Sequence, residues 1–178
     1  METVGAQIRD LIRDIPDFPK PGVTFKDITP LLADAAGFAN CVEALANHFS
    51  DQGIDKVIGI EARGFIIAAP VAYRLNAGFV PVRKKGKLPF DVYSDTYQLE
   101  YGADTLEVHK DSLGRGERVL LVDDVLATGG TAAAARRLAD KLGAQAVGFG
   151  CVLELEFLHG RERLPGLRTE ALASVQQP

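Results

Sequence analysis

Cysteine is scarce in this chain: Cys41 and Cys151 are the two among 178 residues. They lack the short spacings of metal sites. Each stands in apolar surroundings and reads as a small buried hydrophobe. Sparse cysteine without a signal peptide predicts a reducing, cytoplasmic setting. No uncharged apolar run is long enough to span a bilayer, because Glu61 and Arg63 interrupt the best candidate. A large excess of one charge is missing as well. The net charge of -4 gives nucleic acid no general attraction, which bears on macromolecular partners and not on small ligands. The three histidines, His48, His109 and His159, show neither ligand spacing nor a nucleophile partner. No Gly-x-x-x-x-Gly-Lys-Ser/Thr loop is present, which excludes the usual nucleoside-triphosphatase design. Internal repeats, low-complexity tracts and linkers are absent too. What is there, 47% hydrophobic and 25% charged residues, is enough to bury one proper core, so residues 1–178 read as one domain.

Periodicity divides the chain. Ile8, Leu11, Ile12 and Ile15 have helical spacing and predict a first helix ending at Pro16. Residues 18–30 are punctuated by prolines that forbid a regular helix and demote a central strand, so they read as a shaped, extended loop. Phe38, Val42, Leu45 and Phe49 form a helical stripe closed by Gly53. Lys56–Ile60 is a short apolar strand, residues 64 to about 76 a helix blemished by Pro70, and residues 78–83 a strand. That is one βαβ unit, whose crossover is right-handed. Residues 84 to about 108 are polar with partial alternation at Tyr93, Tyr97, Leu99 and Tyr101, which reads as an exposed β-hairpin or long lid. Residues 118–125 are a buried strand, 131–142 an alanine-rich helix stopped by Gly143, and 146–155 a further buried strand. The tail after Gly160 has no clear pattern. Repeated βα units predict an α/β fold with a doubly wound parallel sheet, in which ligands bind at the carboxyl ends of the strands. Glu61-Ala62-Arg63-Gly64 and residues 123–131 fall at such ends and should face one crevice.

The most informative run is residues 119–131. A buried strand ends in Asp123 and Asp124, passes through Ala127-Thr128-Gly129-Gly130-Thr131 and opens a helix. The acids can accept hydrogen bonds from sugar hydroxyls. The glycines permit close backbone approach and positive φ. The helix N-terminus favours an anion, and the threonine hydroxyls add donors. Together these predict a sugar-phosphate pocket. The plainer alternatives are two solvated acids opening a loop, or a magnesium-binding acid pair.

Residues 119–131 resemble the phosphoribosyl-diphosphate binding motif of the type I phosphoribosyltransferases. Four further segments resemble the adenine-using branch of that family in order and spacing: Phe18-Pro19-x-Pro21-Gly22-Val23-x-Phe25-x-Asp27-Ile28-x-Pro30, Glu61-Ala62-Arg63-Gly64-Phe65, Arg83-Lys84-x-Gly86-Lys87-Leu88-Pro89 and Tyr97-x-Leu99-Glu100-Tyr101-Gly102. The similarity spans roughly residues 8 to 160. It implies the family fold, with a small N-terminal hood at about 1–35 and an antiparallel lid hairpin at about 84–108. It implies the transfer of the phosphoribosyl group from 5-phosphoribosyl 1-diphosphate to adenine in purine salvage, giving AMP and pyrophosphate, with magnesium held mainly by substrate and water. A homodimer in the cytoplasm is implied as well, with no nucleic-acid or membrane partner.

The resemblance also implies roles for individual residues. Asp123 and Asp124 would accept the ribose hydroxyls and steady the transient cation, and Ala127, Thr128, Gly129, Gly130 and Thr131 would hold the 5′-phosphate. Glu61, Ala62, Arg63 and Gly64 would form the pyrophosphate loop, with a non-proline cis peptide at Glu61-Ala62 and Arg63 pairing the leaving group. The plainer reading of Arg63 is an ion pair with Glu61. Arg83 and Lys87 would reach the diphosphate oxygens, while Lys84 and Lys85 can be a solvated face. Glu100 would be the general acid/base near the purine N7 and Tyr101 its packing neighbour, against the alternative of a charge on a mobile hairpin. Phe25 would stack on adenine, or else fill core. The backbone of Thr24 and Lys26 would read the purine edge. Lys26 stands where relatives often place arginine. Glu154 is a further candidate for a pocket contact. A relative using guanine, xanthine or orotate is the near rival. A regulator that binds the sugar diphosphate is the remote one, and residues 1–17 are too short for the DNA-binding element it needs.

Overall fold

The computed structural model describes residues 4–98 and 102–177. A seven-stranded sheet has the order β5-β6-β4-β3-β7-β8-β9. Its parallel part comprises β3 (Lys56–Ile60), β4 (Gly78–Lys84), β7 (Arg118–Leu126), β8 (Gln145–Leu155) and β9 (Arg168–Val175). β5 (Val92–Gln98) and β6 (Ala103–His109) form an antiparallel hairpin that joins the sheet through β6 against β4. Chain order reverses at β3, where one neighbour is β4 and the other β7. That reversal opens a crevice at the carboxyl ends.

Alternation along the strands sends side chains to two cores. Ile58, Ile60, Val119 and Leu121 face α5 (Gly130–Lys141), whose Ala132, Ala134, Ala135 and Leu138 are buried against them. Val57, Leu120 and Val122 face α3 (Ala35–Phe49) and α4 (Arg63–Arg74). Helices therefore cover both faces, as a doubly wound sheet requires. Burial on both faces is why β3 and β7 read as unbroken apolar runs. Asp34 caps α3 by accepting the Gly37 N–H at 2.7 Å. Cys41 and Cys151 are free and buried in these cores, and burial pushes the Cys41 thiol up to about 12.

Several expectations change. The first helix, α1 (Val4–Asp10), stops before Ile12. Ile15 belongs to β1 (Arg13–Ile15), which pairs antiparallel with β2 (Phe25–Asp27). The proline-rich loop therefore contains a short strand, and α2 (Thr29–Ala33) follows it with Pro30 in its first turn, where a missing N–H costs nothing. The hairpin stem is not an exposed flap. Asp95, Tyr97, Leu106 and Val108 are buried. The tail forms two short 3-10 turns, Glu156–Leu158 and Gly160–Arg163, and then the edge strand β9. Among the described residues no helix is long and apolar enough to cross a membrane.

Candidate active site

β3 and β7 are parallel neighbours, with Gly59 opposite Val122, so residues 61–64 and 123–131 leave the sheet side by side. The contact between them is intimate. A Cβ added to Gly64 would lie 2.7 Å from Asp123 Oδ1 and 3.2 Å from its Cα. Only glycine lets the start of α4 approach the acid strand this closely. The peptide between Glu61 and Ala62 is cis, at the position the resemblance implied.

The two acids differ. Asp123 Oδ1 accepts the Asp124 N–H at 2.9 Å. Burial, followed by the charge of Asp124, pushes the Asp123 carboxyl well above the usual carboxylate range. Asp124 is 6% exposed. Its Oδ2 lies 2.7 Å from Arg63 Nε as an ion pair. The N–H is not aligned on it, and among the described residues Oδ2 receives no hydrogen bond. Arg63 meets the charge of this oxygen, and the oxygen can still accept a hydrogen bond from a ligand hydroxyl.

Beyond the acids, residues 125–132 and Asp123 line a cavity of about 60 Å³. Gly129 has φ 78° and precedes α5 without offering a side-chain cap. The first N–H groups of the helix are thus left to a ligand. Gly129 is also pressed by the chain that follows β8: an added Cβ would overlap the Gly160 carbonyl oxygen. Glu154, at the end of β8, is not among the residues that line this cavity. Arg161 Nε donates to both of its oxygens at 2.7 and 2.8 Å, which fixes the turn that braces Gly129.

Glu61 gathers the basic residues expected to meet the diphosphate. Lys87 Nζ donates to it at 2.5 Å, Arg83 Nε and Nη2 at 3.3 and 3.4 Å, and the Lys84 N–H at 2.9 Å. Arg63 does not pair with Glu61; it pairs with Asp124. Burial works to raise the Glu61 pKa, but Lys87, the Lys84 amide and Arg83 together hold it at about 2, from an ordinary 4.5. A depressed carboxyl contributes stability that is complete above pH 4.5 and is lost as pH falls through about 2. The stability gap between wild type and Glu61→Gln should therefore shrink across that interval in pH-dependent denaturant melts. A gap that stays constant would contradict this reading. Lys84, read from sequence as solvated, is exposed but paired with Asp104 at 3.0 Å.

Phe25 is half-buried and lies in neither core. Its ring meets Phe18 edge-on at 5.3 Å, and the Arg63 guanidinium sits 5.0 Å from its centroid. Arg63 thus stands between the aromatic platform and the acid pair. The Lys26 ammonium pairs with Asp14 at 2.9 Å. Thr24 is half-buried beside it. Sequence reasoning overlooked Asp27, which holds this segment. It accepts from Arg13 Nη2 at 2.7 Å and from the Thr29 N–H at 2.9 Å. The Thr29 amide first, then Arg13, lower its pKa to about 2. The Asp-x-Thr spacing was the available signal. Glu100 and Tyr101 lie outside the described residues.

Among the described residues no three His, Cys, Asp or Glu side chains gather to hold a metal. Two acids at a strand end suit a divalent cation carried on the oxygens of a substrate and water, with at most a carboxylate contact from the protein.

Comparison with known proteins adds the following. The phosphoribosyl transferase domain model matches residues 27–164. The chain is 58% identical over 172 residues to the adenine phosphoribosyltransferase of Acidothermus cellulolyticus, covering 97% of each chain. The crystal structure of adenine phosphoribosyltransferase from Thermoanaerobacter pseudethanolicus matches with a TM-score of 0.93 at 48% identity, over 96% of this chain and 99% of that one. The Saccharomyces cerevisiae enzyme, complexed with D-2,5-dideoxy-2,5-imino-altritol 1,6-bisphosphate and adenine, matches with a TM-score of 0.90 at 37% identity, over 95% and 98%.

Proposed function

The chain belongs to the adenine phosphoribosyltransferases of the phosphoribosyl transferase domain family, and from that premise we propose how its residues divide the reaction. Adenine and 5-phosphoribosyl 1-diphosphate give AMP and pyrophosphate. The bond between the anomeric carbon and the diphosphate oxygen breaks, its electron pair leaves with pyrophosphate, and N9 of adenine bonds the same carbon. The cation between these events has spread charge, so catalysis is mostly positioning and electrostatics.

The observation that carries the assignment is Oδ2 of Asp124, ion-paired with Arg63 but receiving no hydrogen bond among the described residues, beside a small cavity at the start of α5. Asp123 and Asp124 take the ribose hydroxyls. The Asp123 carboxyl is held above the usual carboxylate range by burial and then by the charge of Asp124. Ala127, Thr128, Gly129, Gly130 and Thr131 take the 5′-phosphate. Glu61 anchors the pyrophosphate loop through Arg83 and Lys87. Lys87 keeps further N–H groups for the diphosphate, and Arg63 follows the leaving group. Phe25 stacks on adenine while Thr24 and Lys26 read its edge by backbone. Glu100 handles the proton near N7, with Tyr101 beside it. Magnesium, when bound, would neutralise diphosphate charge, held mainly by substrate oxygens and water.

A homodimer in the cytoplasm completes the proposal. Ile66 and Tyr73 on α4 and Phe79 on β4 are exposed apolar side chains, a surface suited to a second copy. A monomer in sedimentation at working concentration would remove the dimer. Two free, buried thiols suit a reducing compartment. Incubation with labelled 5-phosphoribosyl 1-diphosphate, magnesium and single bases tests specificity. Adenine should give AMP and pyrophosphate, with guanine, xanthine and orotate inert. Turnover of any of these three at a comparable rate would overturn the adenine assignment.

A further inference from the structure

Tyr97 lies on the hairpin and has no assigned role toward either substrate, yet it is 7% exposed and reaches the phosphate loop. The Thr131 hydroxyl donates to its phenol oxygen at 3.1 Å. The phenol O–H points toward Asp104 Oδ2 at 3.5 Å, and Asp104 is itself paired with Lys84. The ring lies against the loop as well, since a Cβ on Gly130 would be 3.2 Å from its Cδ2. We infer that Tyr97 is a positioning residue for the 5′-phosphate subsite, acting through the Thr131 hydroxyl. This rests on the reading of residues 127–131 as that subsite.

A threonine hydroxyl has a single proton and two lone pairs, and so does a tyrosine hydroxyl as a hydrogen-bonding group. With Thr131 donating to Tyr97, its proton faces away from the loop. A phosphate needs that proton. When Thr131 turns to give it, the Tyr97 O–H can swing from Asp104 and donate to Thr131 Oγ, so the exchange leaves neither hydroxyl unpaired. Burial raises the phenol pKa above its ordinary 10.0, which keeps the proton available. Phenylalanine at this position leaves Thr131 without that partner in the bound arrangement.

The placement of the ring does not depend on its hydroxyl. Two residues earlier on the same face of β5, Asp95 accepts from Arg137 at 2.7, 3.1 and 3.2 Å and from Lys141 at 3.4 Å. Lys141 also donates to the Ser94 carbonyl at 2.7 Å. These bonds pin β5 along α5, so Tyr97→Phe removes one oxygen from a fixed ring.

The test measures steady-state kinetics and binding of AMP and adenosine for wild type, Tyr97→Phe, Thr131→Val and the double variant. Tyr97→Phe should raise KM for 5-phosphoribosyl 1-diphosphate and Kd for AMP about three- to tenfold, the range of one neutral hydrogen bond. It should leave kcat and adenosine binding within twofold. On a Thr131→Val background it should add nothing. Unchanged AMP binding, an equal loss for adenosine, or full additivity in the double variant would overturn the inference. If Thr131→Val itself leaves AMP affinity intact, the phosphate-loop reading fails and this inference falls with it.

Discussion

Asp124→Asn should lower kcat/KM for 5-phosphoribosyl 1-diphosphate by about 10²–10³-fold, the scale seen when one group that stabilises transition-state charge is lost. Asparagine keeps the shape and removes the charge. Two losses follow. Hydrogen bonds from the sugar hydroxyls to a carboxylate, worth about 1.5–3 kcal/mol each, become neutral ones. The negative charge that faces the developing sugar cation also goes, so kcat should fall together with rising KM. The fold should survive. The substitution relieves the repulsion that helps push Asp123 upward and gives up the ion pair with Arg63, two opposed effects that should leave only a small change in melting temperature. Kinetics with the sugar diphosphate varied decide the matter, and unaltered kinetics would refute the ribose assignment.

Glu100→Ala should lower kcat by about 10²–10⁴-fold, the range for general acid–base help, with a modest change in KM. The corresponding limb of the pH–rate profile should vanish with it. The assignment rests on the motif Tyr97-x-Leu99-Glu100-Tyr101-Gly102 and on proximity in the chain to Tyr97, which touches Thr131. Saturating kinetics on both substrates measure it, and an unchanged kcat would contradict the role.

The legible parts of this sequence are those where local pattern and burial agree. Lys56–Ile60 matches the strand expected there, and β7, α5 and β8 differ from expectation by about one residue at their ends. Buried parallel strands must be apolar along their whole length, and the helix after β7 announces itself by alanine and a final glycine. The N-terminus was less legible. Ile12 and Ile15 have helical spacing, but a few residues of period cannot outweigh pairing of β1 with a strand ten residues further on. The hairpin misled because Asp95 looks like a solvent-facing residue. Its burial depends on Arg137 and Lys141, 42 and 46 residues away. β9 was missed for a similar reason: Arg168, Thr169 and Glu170 give an edge strand a polar beginning.

The site divides in the same way. The acid pair and the glycine–threonine loop were readable because strand, turn and helix are contiguous there. Which base pairs with which acid was not readable, because Glu61, Arg83 and Lys87 meet only through the β3–β4 pairing. The resulting exchange is instructive. Arg83 and Lys87 hold Glu61, while Arg63 turns to Asp124 and the Phe25 ring. Residues 61–64 are thus tied to the base of the hairpin by charge, and Arg63 spans the Phe25 ring and the acids.

A crystal structure of this chain with AMP tests the central claim most directly. The account predicts the phosphate against the backbone N–H groups of residues 128–131, with a ribose hydroxyl on Asp124 Oδ2 and the base over Phe25. A nucleotide whose phosphate lodges away from the amino end of α5 would contradict it.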